Sequence, residues 1–175
     1  GGADQFVITA LTSDTGVQMT ADQYHQICGN VDIDTDAVVF VCNTESYYEA
    51  NLILTDLAAN EKIDLSEVDQ SGDEVVNVTV QVADITATTN PLDDEDLFTI
   101  EGGEATLEVS GTVDLTEADL GESIIAVNMA ENAVLTLTAD QVAEIGFDDE
   151  NEDGIADAWS GLAGATLNIV DLDTQ

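Results

Sequence analysis

A four-residue run occurs twice in this chain, each time in the same apolar setting, and it restricts the available folds more than any other feature. Thr20-Ala-Asp-Gln23 and Thr138-Ala-Asp-Gln141 are identical. Each follows a short alternating stretch, residues 17–20 and 135–138. Each precedes apolar residues at helical spacing, Tyr24 and Ile27 in the first copy, Val142 and Ile145 in the second. A threonine three residues before a glutamine has the spacing of a capping box. There the hydroxyl and the carboxamide satisfy two of the N–H groups that a helix start leaves without partners. Gly146 then stands where a left-handed residue closes a helix. The unit is one strand feeding one short capped helix.

Weaker candidate caps at Thr44, Ser66, Asn90 (followed by Pro91), Thr116 and Ser160 extend the series at intervals of roughly 24 residues. Strand-like runs lie between them at 6–11, 31–36, 38–42, 52–55, 62–65, 75–82, 106–109, 113–115, 124–127, 134–137 and 165–170. The expected fold is mainly β: a repetitive, β-solenoid-like architecture with short capped helices, its units stacked on one continuous core. Short strands at regular spacing fit a β-sandwich as well, and that is the alternative. Residues 1–175 are expected to form a single extracellular β domain, with a subdivision near 90–100 as the other possibility.

Charge bears on partners. The chain carries 38 Asp and Glu against one Lys or Arg (Lys62), a formal net charge of -37. Internal ion pairs cannot neutralise this, so screening must come from divalent cations, high salt or a cationic partner. Nucleic acid and anionic membrane surfaces are excluded as partners, because no basic patch exists to meet phosphates. An apolar fraction of 44% nevertheless supports a real core. No apolar run reaches membrane-spanning length, so no membrane insertion is expected. Acid-rich, Lys-poor composition suits secreted proteins of marine or salt-adapted microbes, which places the chain outside the cell.

Cys28 and Cys42 are the two cysteines. Their short separation fits one disulfide in an oxidising compartment, worth about 3 kcal/mol in the chain-entropy model. Two buried free thiols are the alternative. A zinc site lacks ligands, since His25 is the single histidine.

The most specific local motif is Asp149-Glu-Asn151-Glu-Asp153-Gly154-Ile155-Ala-Asp157. Oxygen side chains at alternate positions, a glycine for the sharp turn and then a backbone carbonyl wrap a hard cation such as Ca2+. Asp149, Asn151 and Asp153 take the first three ligand positions, Ile155 offers its carbonyl, and Asp157 binds directly or through water. The pattern resembles thrombospondin type 3 and dockerin-like calcium loops. It departs from an EF-hand at the twelfth position, where Ser160 replaces the bidentate glutamate. Trp159 is read as a core anchor beneath the loop. The clusters Asp93–Asp96 and Asp32, Asp34 and Asp36 are weaker candidates for cation sites or bridges.

The segments Met19-Thr-Ala-Asp-Gln23 and Leu137-Thr-Ala-Asp-Gln141 resemble the strand, Leu-Thr-x-x-Gln, short-helix repeats of bacterial S-layer-like proteins and giant adhesins. That resemblance implies a secreted, calcium-dependent architectural protein. The glycine-rich nonapeptide of toxin-type calcium β-rolls is absent.

No nucleophile elbow, phosphate loop or dinucleotide fingerprint is present, and nothing around His25 supplies a base or nucleophile, so no enzymatic activity is expected. Lys62 is read as an ordinary exposed lysine rather than an isopeptide donor, and Asn77-Val-Thr79 is a glycosylation sequon in mid-strand. The function expected is that of a secreted structural protein that self-assembles into a surface layer, sheath or filament. Its partners would be copies of itself and divalent cations. A calcium-dependent adhesion or glycan-binding module of a larger surface protein is the second reading.

Overall fold

The computed structural model describes residues 5–9, 16–28, 39–43, 50–57, 61–66, 68, 70, 76–85, 98–146 and 158–171. Their secondary structure is mainly β. In chain order the strands are β1 (Gln5–Thr9), β2 (Gly16–Thr20), β3 (Val39–Asn43), β4 (Ala50–Thr55), β5 (Glu61–Asp64), β6 (Val76–Ala83) and β7 (Phe98–Glu101). They continue with β8 (Ala105–Ser110), β9 (Thr112–Asp114), β10 (Ile124–Met129), β11 (Val134–Thr138), β12 (Trp159–Gly161) and β13 (Thr166–Val170). Helix α1 (Ala21–Cys28) follows β2, α2 (Ala139–Ile145) follows β11, and a 3-10 turn at Gly121–Ser123 leads into β10.

The pairing is regular in one respect. Every even-numbered strand belongs to a six-stranded sheet in the order β12-β10-β8-β6-β4-β2, and every odd-numbered strand lies outside it, in the sets β1-β3, β5-β7 and β13-β11-β9. All the strand pairs among the described residues are parallel. The sandwich alternative, which requires antiparallel pairs, is therefore not the arrangement found. Because each even-numbered strand pairs with the next even-numbered one, the chain leaves the six-stranded sheet after each strand from β2 to β10 and returns one position along it.

Alternation explains why these segments are strands. In β4 and β6 buried and more exposed residues alternate strictly, and the inward set is aliphatic. Register then lines the inward residues up from strand to strand. Met19 faces Leu54, Leu54 faces Val80, Val80 faces Leu107, Leu107 faces Val127, and Val127 faces Trp159. Leu54, Val80, Leu107 and Val127 are wholly buried, and Leu135, Leu137 and Ile63 from the odd strands, with Leu115 just after β9, complete the same core.

Both Thr-Ala-Asp-Gln copies form capping boxes. Gln23 N donates to Thr20 Oγ1 at 3.2 Å and Thr20 N to Gln23 Oε1 at 3.0 Å. The second copy repeats this with Gln141 N to Thr138 Oγ1 at 3.2 Å and Thr138 N to Gln141 Oε1 at 2.9 Å. Ser66 and Thr116 do not start helices. An aspartate two residues earlier takes the N–H that a capping glutamine would take: Ser66 N donates to Asp64 Oδ1 at 3.0 Å, and Thr116 N to Asp114 Oδ1 at 3.2 Å. These Asx turns close with Val68 N to Leu65 O and Ala118 N to Leu115 O. The two turns share the sequence Asp-Leu-Ser/Thr-Glu-x-Asp, at 64–69 and 114–119. Ser160 lies within β12, so it is no cap either. Thr44, Asn90 and the strand expected at 31–36 lie outside the described residues.

Corners after the even strands use left-handed residues. Asp56, Asp84 and Asn132 have φ of 56, 51 and 58°, and Gly111 and Gly164 have φ of 67 and 81°. Successive corners interlock: Asp84 Oδ1 accepts Thr112 N at 3.1 Å, and a side chain at Gly111 would collide with that carboxylate. Gly164 lies against Asn132 in the same way.

Candidate functional site

The acidic segment 147–157 follows α2 in the chain and lies outside the described residues. Gly146, at φ 83°, turns the chain out of the helix and donates its N–H to Val142 O at 3.1 Å. The helix is fixed at its other end by Gln141, which is buried and donates from Nε2 to Leu115 O at 2.8 Å and Ala118 O at 2.7 Å. One carboxamide thus closes the capping box and ties α2 to the preceding Asx turn.

After the loop the chain re-enters the six-stranded sheet at β12. Trp159 packs against the core and donates from Nε1 to Gly146 O at 2.7 Å. The residues on either side of the loop are therefore joined by one hydrogen bond, with the indole as the brace. Trp159 is thus partly buried against the core, as an anchor would be, while the segment it was expected to underlie is outside the described residues. Ser160, the twelfth position of the motif, is exposed and donates from Oγ to Asn128 Oδ1 at 2.5 Å. The five expected calcium ligands, Asp149, Asn151, Asp153, Ile155 and Asp157, lie outside the described residues, as do Asp93–Asp96 and Asp32, Asp34 and Asp36. Among the described residues no group of three or more His, Cys, Asp or Glu side chains is placed to hold a metal ion.

Cys28 ends α1 and Cys42 lies in β3, and their side chains are outside the described set. His25 is half-buried, and its ring meets Tyr24 edge-on at 6.3 Å. Tyr24 is buried and donates its hydroxyl to Asp64 O at 2.7 Å, which joins α1 to β5. Asn77 faces outward and is exposed on β6.

Two surfaces escaped the sequence reading. The first is the end of the stack. Residues that are fully buried in the interior strands have half-buried counterparts in the last ones: Leu135 is paired with Leu167, and Leu137 with Ile169. Leu162 is 65% exposed and Val170 37%. The second is the six-stranded sheet itself, whose strands carry a single ionisable side chain, Glu108. The other described acids lie outside this sheet, and Asp56, Asp84, Glu104, Glu117, Asp119 and Glu131, at corners and turns, are all exposed. Strand order alone reveals either surface, because the residues that meet on them are far apart in the chain.

No helix among the described residues is long and apolar enough to cross a membrane. Comparison with protein-family models, with curated proteins and with solved structures found no match to this chain.

Proposed function

We propose that the chain is a β-solenoid module of an extracellular, non-catalytic structural protein, which assembles end to end with copies of itself under the control of calcium. One observation carries this reading. The six-stranded parallel sheet ends in strands with no further partner among the described residues, β12 on one side and β2 on the other, and β13 ends the three-stranded set. A parallel ladder has no intrinsic stopping point. Its last strands offer free N–H and C=O groups in the geometry that receives the next strand. The half-buried Leu167, Ile169 and Trp159 continue the interior aliphatic columns and would be completed by a further layer.

Charge supplies the control. At -37, copies repel one another in low salt, and divalent cations both screen and bridge the exposed acids at the corners. Calcium at Asp149, Asn151, Asp153, Ile155 and Asp157 would fix the loop that leads into β12 and so order a terminal strand. The resemblance of the capped units to S-layer-like and adhesin repeats points the same way, as does that of the loop to dockerin-like sites.

Light scattering with calcium titrated in and then chelated tests the proposal. Large particles should form with calcium and dissolve on chelation. Assembly indifferent to the chelator would remove calcium from the mechanism. A monomer that only gains thermal stability would leave the loop site standing and favour an adhesion module.

A further inference from the structure

The six-stranded sheet has two unlike edges. β2 forms one and β12 the other, and each has a single strand partner among the described residues. All six strands point the same way, because every pair in the sheet is parallel. One column of inward side chains runs from edge to edge, with Met19 at the β2 end and Trp159 at the β12 end. Met19 is buried, whereas Trp159 at one edge and Val17 at the other are only partly covered. Neither edge strand carries an ionisable side chain, and nor does β13, although the chain has 38 acids.

We propose that copies of this chain join head to tail, the β12 edge of one pairing in parallel with the β2 edge of the next, so that the assembly is a polar filament. This direction and register rest on the end-to-end assembly proposed above, which by itself allows either polarity. Each step within the sheet sets the β12-side edge of one strand against the β2-side edge of its neighbour. A second copy stacked head to tail repeats that step with the same ladder geometry. A two-fold axis would instead bring two β12 edges together in one of two ways. They would run antiparallel, which changes the hydrogen-bond pattern, or parallel with inward and outward faces exchanged. Head-to-tail pairing alone keeps both the ladder and the faces. In register, Trp159 then stands beside Met19 of the second copy, and the column through Leu54, Val80, Leu107 and Val127 continues across the junction. A slip of one residue would set inward side chains beside outward ones, so the apolar column fixes the register. Because the edge strands are uncharged, the repulsion at -37 arises away from the junction, where cations can screen it. A heterologous contact that does not close into a ring grows as an open filament with two different ends.

Two variants, each with one end blocked, test the direction. Val17→Lys points a charge inward at the β2 end, and Leu167→Lys does so on β13, the strand after β12. Circular dichroism checks that both are folded, and Val17→Gln is the milder substitute should Val17→Lys not fold. In calcium, sedimentation velocity of each variant alone should show a monomer, since each keeps only one of the two unlike ends. An equimolar mixture should double in mass to a dimer and grow no further, because the free β12 edge of Val17→Lys meets the free β2 edge of Leu167→Lys. Self-association of either variant alone would overturn the proposed direction. Dimers in particular would mean that like ends meet, and would leave end-to-end assembly standing. A mixture that stays monomeric where the parent chain forms long particles would overturn head-to-tail pairing as well. A parent chain that does not assemble in calcium removes end-to-end assembly and its direction together, so the two failures are told apart.

Discussion

Gln23 and Gln141 occupy the same position of the same four-residue motif, yet they carry different loads. Both accept the N–H of their capping threonine through Oε1. Gln141 is also buried, with its Nε2 shared between the carbonyls of Leu115 and Ala118. Removing it would strand two interior acceptors as well as open the box, whereas Gln23 is exposed and its loss costs only the cap. Gln141→Ala should therefore destabilise the protein by about 2–4 kcal/mol and Gln23→Ala by about 1 kcal/mol or less, measured by denaturant unfolding. Equal effects would mean that the tie from α2 to the Asx turn contributes nothing. The same scale separates a cap from a turn. At Thr138 the residue two places earlier is Thr136, and the helix forms. At Thr116 it is Asp114, whose Oδ1 accepts both Thr116 N and, at 2.8 Å, Thr116 Oγ1. One carboxylate diverts the chain from a helix into a turn.

At the scale of elements, the bond from Trp159 to Gly146 joins the residues that flank the acidic segment between α2 and β12. Trp159 is the chain's only tryptophan, so its fluorescence reports on the loop without labelling. Calcium titration should shift that emission saturably, and Asp153→Asn should weaken the response at least tenfold. An unchanged spectrum across the titration would count against a cation at Asp149–Asp157. Much of the element inventory was legible in the sequence. Val76–Ala83 alternates so cleanly that β6 could be read to within a residue, and the identical tetrapeptides announced both helices. β7 and β12 were not foreseen. Phe98–Glu101 follows an acidic run with only four residues, and Trp159–Gly161 is too short for any period to show. Pairing was harder still. Gly16 pairs with Asn51, but Ile124 pairs with Ala105, a far shorter step. The strands stay in register despite these unequal separations, so no fixed period in the sequence marks which strands meet.

Among the described residues, an interior of aligned aliphatic columns is combined with a six-stranded sheet that carries one acid, the other described acids lying outside that sheet. The hydrophobic effect favours adding another layer to the exposed last strands, and Coulomb repulsion between copies opposes it. Natural parallel ladders stop when their end strands are covered or charged. Here β13 presents Leu167 and Ile169 inward, with no ionisable side chain along its length. In the proposed assembly the half-buried last strands and the high charge would act against each other: the core would favour growth and the charge would withhold it until cations arrive.

Sedimentation velocity of the full chain and of Leu167→Lys, each with and without calcium, tests this most directly. The substitution points a charge inward on the terminal strand, where a neighbour would have to bury it. The parent chain should sediment as a monomer without calcium and as long particles with it. The variant should keep the same circular dichroism spectrum and remain monomeric in both conditions. A variant that assembles like its parent, or a parent that stays monomeric in calcium, would contradict end-to-end stacking.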